Sequence, residues 1–300
     1  MSTDGEALAW PLETALLPPD EQSVFRAPGS NLVLDLHGDP TRARLVLFSD
    51  GNHHMALADT LRAFVEQVPE VGDVFYATTP PRVIVETLKS GGLSVGNLRL
   101  SLMPHIFISP GDVLDGLHKE GVVGVHKPIM RSTGLAILIE KLTQHNIFAP
   151  ADLLNPRIRL AISNPVTEAA SFNLYETALC AFGEQAGRPA GEVGQYLRSD
   201  KVVKSQVIHH REIPALLAAG AADASLIYYH LALRYTRIFP DRFDLIEIDL
   251  NVLPDPARFI STYHLALVGD GGEFGARLAA FFDTEPAAEI YRSHGLQSVG

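Results

Sequence analysis

Three hundred residues with a 46% hydrophobic share can bury one large or two medium cores, which excludes a disordered chain. An excess of 35 acidic over 24 basic residues leaves a formal charge of -11 and argues against nucleic acid as partner. The single cysteine, Cys180, rules out an internal disulfide and any multi-cysteine metal site.

Residues 1–30 read as an N-terminal extension, acidic and proline-bearing, without the basic stretch and apolar run of a secretory leader. The expected location is therefore cytoplasmic if the chain is complete and periplasmic if a leader has been removed. Residues 31–36 and 44–48 read as strands, the second a continuous apolar run of the kind buried on both faces. The turn Ser49-Asp50-Gly51-Asn52 follows, with Asn52 as the expected N-cap of a helix over 53–68. The unit repeats as strand 73–77, turn Thr78-Thr79-Pro80-Pro81 and helix 83–89, then as strand 105–109 and helix 111–119.

A strand-like run over 122–132 and a helix near 133–145 come next. A second series places strands at 157–162, 202–208 and 225–228, with helices at 170–184 and 213–220 between them. Strands at 245–250 and 263–268 and helices at 275–282 and 287–294 complete the chain. Such alternation predicts an α/β fold with mostly parallel sheets flanked by helices. The expected division is lobe 1 over 31–125 plus 260–300 and lobe 2 over 126–259, joined by crossover strands near 122–127 and 245–263. No apolar run approaches the roughly 20 residues of a bilayer-spanning helix, so a membrane-embedded chain is not expected.

Ligands of such sheets bind beyond the carboxyl ends of the strands, where helix starts offer unpaired N–H groups. Ser49, Asn52, Thr78, Thr79 and Ser171 stand in those turns, with Tyr228 as a further donor, and they suit an oxyanion held by dipoles and hydrogen bonds. The pairs His53-His54 and His209-His210 also fall at expected helix starts, where two turns facing a cleft would bring imidazoles to a transition metal. Neighbours on a helix start point about 100° apart, so each pair supplies one ligand at most. No GxGxxG, GxxxxGK[ST], HExxH or nucleophile-elbow spacing occurs, and no cofactor is expected.

From Arg44 onward the chain resembles the type II periplasmic solute-binding proteins of ABC importers, and within them the molybdate-binding branch. The matching stretches, in order, are RLVLFSDGNHHMALADTLRAF, FYATTPPRVIVETLKSG, PHIFISPGDVLDGL, NPRIRLAISNPVTEAASFNLYETAL, DASLIYYHLAL and AAEIYRSHGL. The resemblance implies two lobes that capture a molybdate- or tungstate-like anion for an ABC permease, with no enzymatic activity. Its ligand positions fall at Asn52, Thr79, Ala170, His210 and Tyr228. Asn52 stands where that branch has serine, and His210 where it has an aliphatic residue contributing its backbone N–H. The ferric-ion-binding branch is also similar, and implies a metal held by His53, Tyr228 and Tyr229; its carboxylate position falls at Pro110, which cannot coordinate. A cytoplasmic enzyme or sensor on the same fold is the remaining alternative.

Overall fold

The computed structural model describes residues 35–79, 81–95, 98–143, 145–206 and 209–299. The extension over 1–30, most of the strand expected at 31–36 and the end of that expected at 202–208 lie outside them. Along the chain the strands are β1 (Asp35–His37), β2 (Leu45–Ser49), β3 (Val74–Thr78), β4 (Leu93–Val95), β5 (Leu98–Leu100), β6 (Ile106–Pro110) and β7 (Val123–Ser132). They continue as β8 (Leu135–Glu140), β9 (Leu160–Ile162), β10 (Val203–Lys204), β11 (Ala224–Tyr228), β12 (Phe243–Glu247), β13 (Thr262–Val268) and β14 (Leu296–Ser298).

Two sheets carry the fold, ordered β1-β3-β2-β6-β13-β7-β14 and β10-β9-β11-β8-β12, with β4 and β5 as a small separate pair. The pairing is mixed. β2 runs parallel to β3 and β6, and β9 runs parallel to β10 and β11. The remaining pairs are antiparallel. The parallel strands are those whose carboxyl ends deliver the turns of interest.

Helix α1 (His54–Gln67) buries Ala56, Leu57, Leu61 and Phe64 on one face of the first sheet, the i, i+1, i+5, i+8 stripe of an amphipathic helix. The leucines and the phenylalanine each contribute about 1.5–3 kcal/mol. Helices α2 (Pro81–Ser90) and α3 (Gly111–Lys119) cover the opposite face through Ile84, Leu88, Leu114 and Leu117. Around the second sheet lie α4 (Ala169–Gln185), α5 (Ala190–Arg198), α6 (His209–Ala218) and α7 (Tyr229–Ile238), and their apolar side chains form a core separate from those of the first sheet. Helices α8 (Gly272–Phe281) and α9 (Glu285–Ser293) return to the first sheet.

One expected helix is a strand. Residues 133–145 contain β8, whose run LAILIE lies between β11 and β12 with Leu135 to Leu138 almost inaccessible. A short continuous apolar run fits either element, and here sheet pairing on both sides decides. The expected division at 125/126 moves with it, because β7 stays in the first sheet, paired with β13 and β14, to Ser132. The chain crosses between sheets at Thr133-Gly134 and returns after β12. The crossings are tied where Ser132 N–H donates to Ser261 O at 2.8 Å and Ser261 N–H to Ser132 Oγ at 2.9 Å.

Candidate functional site

The turn after β2 is built around Asp50 rather than Asn52. Asp50 caps a 3₁₀ turn, Gly51–His53, by accepting the Asn52 N–H at 3.0 Å, while α1 begins at His54. The expected Asn52 cap is thus displaced by two residues, since an aspartate can close the tighter turn that precedes the helix. Asp50 N–H donates to Ile108 O and Thr79 N–H to Ser49 O, which locks the turns after β2, β3 and β6 together. Burial pushes the Asp50 carboxyl up to about 6 against the pull of the Asn52 N–H.

Ser49 and His53 face into the first lobe. His53 Nε2 donates to Ser49 Oγ at 2.8 Å, Ser49 Oγ donates to Asp50 O at 3.0 Å, and His53 Nδ1 accepts from the Tyr291 hydroxyl at 3.1 Å. Both ring nitrogens are therefore engaged in a fully buried chain of hydrogen bonds, and burial drives the imidazole down to about 3, with His230 and His54 adding repulsion. Tyr291→Phe removes one donor and strands a buried acceptor. Stability should fall by about 1–3 kcal/mol in urea unfolding, with ligand affinity unchanged.

On the second sheet, Glu168 joins two turns. Its Oε2 accepts from Ser205 Oγ at 2.7 Å and from His209 N–H at 2.9 Å, and burial raises its carboxyl. Ser171 Oγ is engaged within its own turn, pairing with Ser163 Oγ at 2.8 Å and donating to Glu168 O at 3.1 Å, and Ala170 is exposed in the first turn of α4. His209 points into the second core, where Nε2 faces Leu226 O and Ser225 Oγ, each at 3.2 Å. Pro214 lies inside α6 and lacks the N–H that would reach His210 O. The Tyr235 hydroxyl of α7 takes its place as donor to that carbonyl, which fixes the start of α6.

The two lobes meet at these helix starts. Arg211 Nη2 reaches from α6 to Thr78 Oγ1 at 3.4 Å and lies 3.4 Å from where a side chain on Gly51 would begin. His230 Nε2 donates to Asn52 O at 3.0 Å, and its ring stacks on Tyr228 at 5.5 Å between centroids. The Tyr228 hydroxyl pairs with Ser261 Oγ at 3.0 Å, and burial pushes it up to about 12, with the Asp50 charge adding to the rise. His210 Nε2, His230 Nδ1 and Tyr263 Oη are sealed from solvent without a hydrogen-bond partner. Burial lowers His210 well below its ordinary range, and Arg211, His54, His209 and His230 add to the effect.

The structure thus brings Asn52, Thr78, His210 and Tyr228 to one inter-lobe seam. Thr79 lies beside them in the buried turn after β3. Ser49, His53 and Ser171 are turned into their own lobes. Tyr229 faces away, its ring against Gly295 and its phenol bonded to Glu247. For the metal reading through His53, Tyr228 and Tyr229 the structure shows no convergence of the three: both His53 nitrogens are hydrogen-bonded and the two tyrosines diverge. Among the described residues, no group of three or more His, Cys, Asp or Glu side chains is placed to hold a metal ion.

Sequence reasoning missed Arg211 and His230, and placed Asp50 in the turn without its capping role. Arg211 is the third residue of α6, where a cation opposes the helix dipole. A permanent cation, an unpartnered imidazole nitrogen and threonine hydroxyls around a helix N-terminus can hold an anion and exclude a cation.

A family model described as bacterial extracellular solute-binding protein matches residues 45–297. Among solved structures, the sulfate-binding protein SubI of Mycobacterium tuberculosis superposes with a TM-score of 0.59 at 16% identity, over 85% of this chain and 86% of that one. The periplasmic molybdate-binding protein of Azotobacter vinelandii gives 0.57 at 14% identity, over 84% and 98%. Iron-bound HitA of Pseudomonas aeruginosa gives 0.57 at 14% identity, over 85% and 84%. No curated protein matches the sequence.

Proposed function

Since this chain belongs to the bacterial extracellular solute-binding proteins, which are binding proteins rather than enzymes, we propose that it captures a small tetrahedral oxyanion at the inter-lobe seam. Molybdate, tungstate and sulfate are the candidate class, for delivery to an ABC permease. The lobes are residues 35–132 with 262–298, and 135–259. One observation carries the reading: the Arg211 guanidinium crosses from α6 to Thr78 of the other lobe beside the buried, unpartnered Nε2 of His210. Asn52, Thr78 and Thr79 present donors from the first lobe. His210, Arg211, Tyr228 and the backbone at Ala170 and Ser171 present them from the second. A dianion between the walls stabilises the closed state by its contacts to both, and Ser132 and Ser261 mark the hinge.

Titration calorimetry with molybdate, tungstate, sulfate, phosphate and ferric citrate tests this. One oxyanion should bind one per chain with a dissociation constant of about 1 μM or tighter, near -8 kcal/mol, and ferric citrate should give no heat. Silence with every oxyanion rejects the reading.

A further inference from the structure

A second constellation lies outside the seam, on the two strands that link the lobes. His126 of β7 and His264 of β13 are diagonal neighbours on one face of the first sheet, His126 opposite Ala266 and His264 opposite Pro128. Their rings lie 4.9 Å apart at 67°, with Nδ1 facing Nδ1 at 2.9 Å. The other nitrogen of His126, Nε2, meets Asp115 Oδ1 of α3 at 3.0 Å. The carboxylate fixes the proton on Nε2 and leaves a lone pair on His126 Nδ1 that accepts the His264 Nδ1 proton, the proton a metal ion bound between the two nitrogens would displace. Gly111, at the start of α3, makes room for the second ring: a side chain there would begin 3.1 Å from His264 Nε2. The group opens to solvent on the Asp115 side, where that side chain is 62% exposed against 15% for His126.

Two features of this arrangement match a metal ligand pair. Nitrogens about 2.0–2.1 Å from one ion and at right angles to each other stand about 2.9 Å apart. A carboxylate holding the far nitrogen of a histidine is the outer-shell partner that ligating imidazoles usually have. We propose that His126 Nδ1 and His264 Nδ1 form a site for a divalent transition metal of tetragonal preference, Cu²⁺ ahead of Ni²⁺ and Zn²⁺, with Asp115 orienting His126 and water completing the sphere.

The chain has 12 histidines, so the test is comparative. Tag-free full-length protein is titrated with Cu²⁺ and followed by electron paramagnetic resonance and calorimetry. The wild type should bind one Cu²⁺ at this site with hyperfine splitting from two imidazole nitrogens. His126→Ala and His264→Ala should each weaken that binding about 30-fold or more and remove one nitrogen, and Asp115→Asn should weaken it about tenfold with both nitrogens retained. Circular dichroism checks folding, and the exposed Asp115→Asn variant decides the matter if an alanine variant does not fold. Equal Cu²⁺ affinity in the wild type and the variants, or loss of binding in His210→Ala alone, overturns the proposal. Equal affinity across these variants leaves oxyanion capture untouched, since His126, His264 and Asp115 take no part in it, whereas loss in His210→Ala alone would put the Cu²⁺ in the seam and count against the anion reading as well.

Discussion

Arg211→Ala should weaken oxyanion binding at least about 100-fold while leaving the unliganded protein as stable as before. A charge-assisted, desolvated contact to a dianion is worth about 1.5–3 kcal/mol, and further loss follows because the anion would then sit in the seam without a permanent counter-charge. Arg211→Lys keeps the charge but not the planar fork, and should lose about tenfold. Stability should change little, because the Arg211 contact to Thr78 is long at 3.4 Å and the cation sits in the first turn of α6 against the helix dipole. Calorimetric affinity and thermal melts of the same samples separate the two effects. An unchanged dissociation constant with intact folding would remove the carrying observation and require another anchor for the ligand.

β2, β3 and β6 were legible because each is short, largely apolar and followed by a turn; the helix expected at 53–68 forms over His54–Gln67. β8 was not, because LAILIE carries no period that separates a buried strand from a buried helix. The start of α6 was hidden for a related reason. Its apolar stripe begins at Ile213, so His209 to Glu212 read as a turn, yet they form the first helical turn, and Pro214 is accommodated by the Tyr235 hydroxyl. That misplacement concealed Arg211 as a residue pointing at the other lobe. Asn52, Thr78 and Tyr228 could be named from strand ends alone, since topology fixes where those ends converge. The inward turn of Ser49, His53 and Ser171 could not, because it depends on partners, Tyr291 and Ser163, that only the folded chain supplies.

Acid should destabilise the protein steeply below neutrality. His53, His209 and His230 are fully buried, with burial lowering them to about 3, about 4 and about 4, and His210 also lies well below its ordinary range. A depressed imidazole is neutral in the folded chain where the unfolded chain has already taken up a proton. Its stability is therefore complete above the unfolded value of 6.5 and lost as the pH falls from there toward 4. At pH 5 each costs about 2 kcal/mol, against a total stability of about 5–15 kcal/mol. Asp50 works in the opposite sense. Raised to about 6, it destabilises when ionised and returns about 1–2 kcal/mol on acidification to pH 5, too little to offset several imidazoles. The melting temperature should fall by about 10 °C or more between pH 7 and pH 5. Circular dichroism melts across that range measure it, and His209→Gln should flatten part of the slope. A flat profile would mean that these imidazoles take up protons freely in the folded state. Ligand sharpens the test: a dianion beside His210 favours its protonated form, so the stabilisation it confers should grow as the pH falls from 7, while the unliganded chain weakens.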